Sequence, residues 1–315
     1  MLRARAGMLR TIRDFFAERD VLEVVTPVLG GAGASDVHLQ NVSAVDGPRT
    51  FFLQTSPEYA MKRLLAAGTG AIYQVGPVMR GGESGRRHNT EFTMLEWYRP
   101  GFDLPELARE VFDLLTLLAT RHGQALAPAS QVDYGQLFEA RFGVSPHTAG
   151  LDALWHLVRT ELPDGAAAHI TDHGDEGTRN DLLDALFSTA IEPGLDGATF
   201  VFDFPASQAS LSRVAQNERG ELVSRRFELF WHGTELANGY LELRDAGELA
   251  RRFEHNNTLR RVRDLPTVQA DRKLLAALGH MPECCGVAMG LDRLLMLMTG
   301  AGSLDEVIAF SDPRL

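Results

Sequence analysis

The sequence predicts an α+β fold in which a mainly antiparallel sheet is flanked by helices. Three observations point there. Strand-like segments stand both before and after a helical stretch, they do not alternate regularly with helices as a doubly wound sheet requires, and 315 residues at 44% hydrophobic content suffice to bury a full core.

The elements follow in order. Residues 4–19 set Met8, Leu9, Ile12, Phe15 and Phe16 at helical spacing with Arg10, Arg13 and Asp14 between them, the pattern of an amphipathic helix. Residues 21–27 read as an extended segment closed by Pro27. Strand patterns occupy 50–54, 71–75 and 91–98, with a helix over 56–66 between the first two. Helices are expected at 107–120, 151–161 and 180–191, separated by turns containing Gly and Pro. This helical stretch, 104–192, is expected to elaborate one catalytic domain spanning 1–315 and not to form a domain of its own. Strands return at 199–204, 222–232 and 235–243, a charged helix follows over 246–262, and 285–300 runs from a Gly-punctuated strand into an apolar helix.

Composition excludes several classes of function. No apolar run approaches the roughly 20 residues that span a bilayer, and the N-terminal stretch lacks the continuous apolar centre of a signal peptide, so a cytoplasmic protein without membrane contact is expected. The two cysteines, Cys284 and Cys285, are adjacent, which suits neither a disulfide framework nor a zinc site. A net charge of -11 argues against a general polyanion binder. Only Lys62 and Lys273 are lysines and neither follows a glycine, so the Gly-Lys phosphate loop is absent and ATP, if used, must be held by another device.

Chemistry concentrates in three places. Residues 73–99 join two aromatic-rich strand patterns through an arginine-bearing loop, where Arg80 could clamp a phosphate with its planar fork of donors. Residues 286–294 supply close-approach glycines and Arg293 entering a helix; a buried strand and helix with Asp292 as a cap and Arg293 paired structurally is the bland alternative. Glu228, Glu235 and Glu242 fall seven residues apart across a probable strand pair and could serve magnesium and a cationic substrate, although isolated glutamates on strands are more often a solvated face.

Taken together, VLEVVTP, TSPEYAMKRLL, HNTEFTMLEWYRP, FPASQASL, ELANGYLEL and GVAMGLDRLLML resemble motifs of class II aminoacyl-tRNA synthetases of the lysyl type, and more closely those of the elongation factor P lysine ligases. The resemblance covers nearly the whole chain and lacks the anticodon-binding OB domain of a complete lysyl-tRNA synthetase. It implies a class II catalytic core, ATP and Mg2+ as cofactors, a homodimer, and activation of lysine or (R)-β-lysine as an adenylate for transfer to a lysine of elongation factor P.

Carried over residue by residue, it places Arg80 at the α-phosphate and Arg293 at the γ-phosphate as the catalytic pair. Asn89, Phe92, Glu235, Leu236 and Gly290 fall at nucleotide positions, and Glu228 with Glu235 at the metal. Ser56, Pro57 and Glu58 are expected near the backbone amino group, Glu96, Tyr98 and Glu242 around the side-chain ammonium, and Asn238 near the carboxylate. Ala288 stands where lysyl-tRNA synthetases commonly carry glycine, so its methyl is expected to shape the pocket toward a β-amino acid. Departures are Arg80-Gly81-Gly82 with the acid displaced to Glu83, Pro77 for a common arginine, and Thr90 for proline. A minimal lysyl-tRNA synthetase and a non-catalytic amino-acid sensor are the alternative readings; the acidic net charge speaks against tRNA as a partner, and the retained arginines and glutamates against the sensor.

Overall fold

The structure, a computed structural model, describes residues 1–314. In chain order the elements are α1 (Leu2–Ala17), β1 (Leu22–Glu23), β2 (Leu29–Gly30), β3 (Ser43–Asp46), β4 (Arg49–Leu53), α2 (Glu58–Ala66), β5 (Ile72–Met79), β6 (Glu91–Pro100), α3 (Leu104–Arg121), β7 (Ser130–Asp133), α4 (Tyr134–Phe142), α5 (Leu151–Glu161), α6 (Glu176–Ala190), β8 (Thr199–Pro205), β9 (Val214–Gln216), β10 (Leu222–Phe230), β11 (Glu235–Leu241), α7 (Ala246–Val262), α8 (Arg272–Leu278), β12 (Cys284–Gly290) and α9 (Leu291–Thr299). They form two compact units, Met1–Ala125 with Glu242–Leu315, and Leu126–Leu241. The predicted α+β class holds.

In the first unit the strands run in the order β1-β5-β6-β12, and β2-β4-β3 form a small separate sheet. The pairs β5–β6 and β6–β12 are antiparallel, as expected, while the two-residue β1 adds to β5 in parallel. Helix α1 buries Met8, Ile12, Phe15 and Phe16, the stripe that its spacing predicts. Phe16 stacks on Tyr73 of β5 at 4.4 Å and meets Trp97 of β6 edge-on at 5.4 Å, so aromatic contacts fix the helix against the strands that carry the site. Helix α3 begins with a reciprocal capping box between Asp103 and Glu106, which satisfies donors that the first turn would leave open.

In the second unit the strands run β11-β10-β8-β7, with β9 also on β10. Its core packs Tyr134, Phe138, Leu182, Leu186, Phe187 and Phe204 around stacked rings, Tyr134 and Phe187 lying 4.8 Å apart. No helix among the described residues is long and apolar enough to cross a membrane.

Candidate functional site

The first unit contains a buried acidic cluster, the candidate substrate recess, built from α2, β6, β12 and the residue after β11. Ser56 and Pro57 start α2: the Ser56 hydroxyl accepts from the Glu58 amide at 3.0 Å, and Pro57 sits at the N-cap, where its missing N–H costs nothing. Strand alternation then sends Glu96 and Tyr98 of β6 to one face. Both oxygens of Glu96 are engaged, one by the Ser56 hydroxyl at 2.6 Å and the other by the Tyr98 hydroxyl at 2.7 Å. Glu242, also buried, completes the set.

Lys62, which the sequence reading did not single out, stands at the centre. Its ammonium lies 2.5 Å from Glu58 and 2.6 Å from Glu242. The spacing Glu58 to Lys62 is one helical turn, the signal that could have found it. Burial pulls the Lys62 pKa down, but the two carboxylates outweigh this and hold the ammonium charged. Burial pushes Glu96 up to about 7, with Glu58 adding repulsion, and pushes Glu242 up to about 8, against the lowering effect of Lys62. A buried set with more acids than bases is short of positive charge.

The floor of this face is made of small residues. Gly286, Ala288 and Gly290 of β12 pair with Tyr98, Glu96 and Met94 of β6, which places all of them on one side of the sheet. A Cβ on Gly286 would collide with the Tyr98 ring and the Glu242 carboxylate, so only glycine lets both side chains cross this strand. The sequence marked Gly286 and Gly290 as close-approach glycines and Ala288 as a pocket residue; it did not show that Tyr98 and Glu242 are what crosses Gly286. A Cβ at Gly290 would meet nothing within 4 Å, so there is room above it.

Arg80 and Arg293 both reach the segment between β5 and β6. Arg80 ends β5, with its guanidinium 5.2 Å from the Phe92 ring centre and 3.9 Å from Glu83. Arg293, in the first turn of α9, donates to the Arg87 carbonyl at 3.2 Å and to the His88 ring at 2.7 Å. Its neighbour Asp292 is buried, accepts from the Thr93 amide at 2.6 Å and pairs with Arg5 of α1. Asp292 therefore ties three parts of the unit together beside Arg293.

The departures from the motif have local causes. Gly82 adopts φ +75, and Gly81 donates to the Gln40 carbonyl at 2.8 Å with the Gln40 side chain packed against both glycines, so larger residues would clash or strain here. The Thr90 amide donates to Asp312 at 3.0 Å, a bond that proline lacks the hydrogen to make. Asn89 is buried, donating to the Glu91 carbonyl at 2.6 Å and accepting from the Asp312 amide at 2.8 Å. One amide hydrogen is left to it for a ligand.

The remaining predicted residues, Glu228, Glu235, Leu236 and Asn238, belong to the second unit. Burial pushes Glu228 up to about 8; Arg226, which pairs with it, opposes that and the negative charge of Glu235 reinforces it. Two carboxylates that repel in this way fit a divalent cation, and no group of three or more His, Cys, Asp or Glu among the described residues would hold one alone. Leu236 is buried. Asn238 donates to Glu228 at 3.2 Å, and its side-chain oxygen is buried without a partner, an acceptor better suited to a donor than to a substrate carboxylate.

An antiparallel sheet carrying one arginine at the end of a strand and another at the start of a helix is the arrangement of the class II synthetases. The family model for class II tRNA synthetases (D, K and N) matches residues 1–314, and the chain belongs to that family. Within it, the chain is similar to proteins named elongation factor P--(R)-beta-lysine ligase. That of Mannheimia succiniciproducens is 44% identical over 97% of this chain and 93% of its own length. Those of Pseudoalteromonas translucida and Yersinia enterocolitica are each 43% identical, over 99% and 97% of this chain and 95% and 93% of their own.

Proposed function

We propose that this chain is an ATP-dependent ligase that activates lysine or (R)-β-lysine as an adenylate and transfers the aminoacyl group to a lysine side chain of elongation factor P. The observation that carries the substrate class is the recess where Glu58, Glu96 and Glu242 surround one ammonium. The names of relatives alike over nearly the full chain support the acceptor, and favour this reading over tRNA charging or amino-acid sensing.

In the first step a carboxylate oxygen of the amino acid attacks the α-phosphorus of ATP and the bond to the β-phosphate breaks, releasing pyrophosphate. The enzyme needs no nucleophile of its own. Arg80 is assigned to the α-phosphate and Arg293 to the γ-phosphate, where fixed guanidinium charge stabilises the charge that develops in transfer. Phe92 and Asn89 are assigned to the nucleotide beside Arg80, and Gly290, with open space above it, lets the nucleotide approach the backbone. For the second unit, Glu228 and Glu235 are the assigned holders of Mg2+, a cation that takes carboxylate oxygens as ligands. Leu236 keeps its assignment to the nucleotide, and Asn238, whose side-chain oxygen is an acceptor, is assigned to a donor group of the amino acid and not to its carboxylate.

Glu96, Tyr98 and Glu242 would orient the side-chain ammonium, and Ser56 with Glu58 the backbone amino group. In the second step the acceptor amine attacks the acyl carbon, an amide forms and AMP leaves. We further infer a homodimer and a cytoplasmic setting. The test is acceptor choice: purified enzyme with ATP, Mg2+ and labelled lysine or (R)-β-lysine is expected to label elongation factor P and to leave tRNA unlabelled in a parallel reaction. Labelled tRNA with unlabelled elongation factor P would reverse the reading.

A further inference from the structure

Lys62 is a buried charge to which the proposed chemistry gives no task. It is one of two lysines in the chain and is 1% exposed. Helix α2 delivers it one turn beyond Glu58, so that its ammonium lies 2.5 Å from Glu58 and 2.6 Å from Glu242. The groups around it are Glu58 and Tyr59 on α2, Glu96 and Tyr98 on β6, Glu242, and Cys284 on β12. Three of these can be anionic carboxylates; burial holds both phenols and the thiol in their neutral forms. With the carboxylates ionised, one internal ammonium leaves two negative charges unmatched.

We propose that Lys62 is a specificity-determining positioning residue: by tying Glu58 to Glu242 and cancelling one of three carboxylate charges, it leaves a recess that is balanced by a ligand with two ammonium groups, a diamino monocarboxylic acid. This rests on reading the recess as the amino-acid site. A ligand with one ammonium leaves a buried carboxylate without a partner, which is the costly case for an ion in a protein interior. Loss of Lys62 deepens the same imbalance: Glu58 and Glu242 repel, lose their common anchor and take up protons.

Amino-acid-dependent ATP–pyrophosphate exchange with lysine, followed across pH for wild type, Lys62→Met and Lys62→Arg, tests the proposal. With folding verified by circular dichroism, Lys62→Met should raise the KM for lysine at least about tenfold, the loss of one buried charge partner, while kcat changes less. Its kcat/KM profile should move to higher pH, since the carboxylates hold their protons longer. Lys62→Arg, which restores the charge, should recover most of the loss. Folded Lys62→Met with the wild-type KM and pH profile overturns the proposal, as does Lys62→Arg impaired to the same degree as Lys62→Met.

If Lys62→Met does not fold, calorimetry on the wild type in buffers of different ionisation enthalpy decides. Lysine should displace more protons on binding near neutral pH than norleucine, which has one ammonium. Equal proton release by the two overturns the charge count. A wild type that exchanges with neither lysine nor (R)-β-lysine overturns the activation reading instead, and calorimetry still tests the charge count because it needs no catalysis.

Discussion

The acidic recess and the arginine loop of the first unit are built on opposite principles. In the recess Glu96, Glu242 and Lys62 are each less than 4% exposed, and hydroxyls or an ion pair fix their positions before any ligand arrives. Around the loop Arg80 and Arg293 are half-buried, and they are held by contacts with a carbonyl, a ring and a distant carboxylate. A rigid, charge-deficient recess discriminates between ligands, because a mismatch leaves a buried ion unpaired. Half-buried cations in the role proposed for Arg80 and Arg293 contribute when charge develops in transfer, which serves rate more than choice.

Mutations should separate the two regions. The largest effect is expected from Glu242→Ala, which leaves Lys62 buried with one carboxylate and should cost about 3 to 5 kcal/mol of stability, read by denaturant unfolding. Arg293→Ala should do the reverse. Its transition-state stabilisation should fall by about 2 to 4 kcal/mol, a rate loss of roughly thirtyfold to a thousandfold, with unfolding changed by no more than about 0.5 kcal/mol. If Arg293→Ala unfolds the protein while Glu242→Ala slows a stable one, the contrast is wrong.

A smaller effect concerns pH. Glu96 and Glu242 ionise near 4.5 in the unfolded chain and at about 7 and 8 in the fold, so between those values the folded protein holds protons that the unfolded chain has released. Where the native state binds more protons, stability falls as pH rises. These groups therefore make the ligand-free protein less stable from pH 5 to pH 8, and lysine should raise the melting temperature more at pH 8 than at pH 6. A lysine-induced shift that does not depend on pH would mean that the recess is fully charged when empty. The smallest expected effect is that of Ala288→Gly, which removes one methyl opposite Glu96 and should change the ratio of (R)-β-lysine to lysine use by about 1 kcal/mol, a few-fold. An unchanged ratio removes Ala288 from the specificity argument.

The longer helices were legible in the sequence, α1 and α5 from an apolar face of the right period and α7 as a charged stretch. Helix α5 occupies 151–161 and α7 occupies 246–262, as the pattern predicts. Length alone does not decide this, since α2 and α9 have nine residues each and were legible. Helices α4 and α8 were not: α4 contains Gly135 near its start and α8 has only seven residues. The two-residue β1 and the four-residue β7 join their neighbours in parallel, a pairing set by tertiary contacts and not by local pattern. In the site, the carboxylates were legible because motifs carry them. Lys62 was not, since it acts through an ion pair with Glu242, distant in sequence; Gly286 was legible as a close-approach glycine, but not the two side chains that cross it.

The claim on which the account rests is that the recess selects an amino acid by two positive charges. ATP–pyrophosphate exchange at fixed ATP and Mg2+, compared across lysine, (R)-β-lysine and norleucine, measures this directly. The account predicts exchange with one or both diamino acids and a rate for norleucine lower by orders of magnitude. Comparable exchange with norleucine would contradict it.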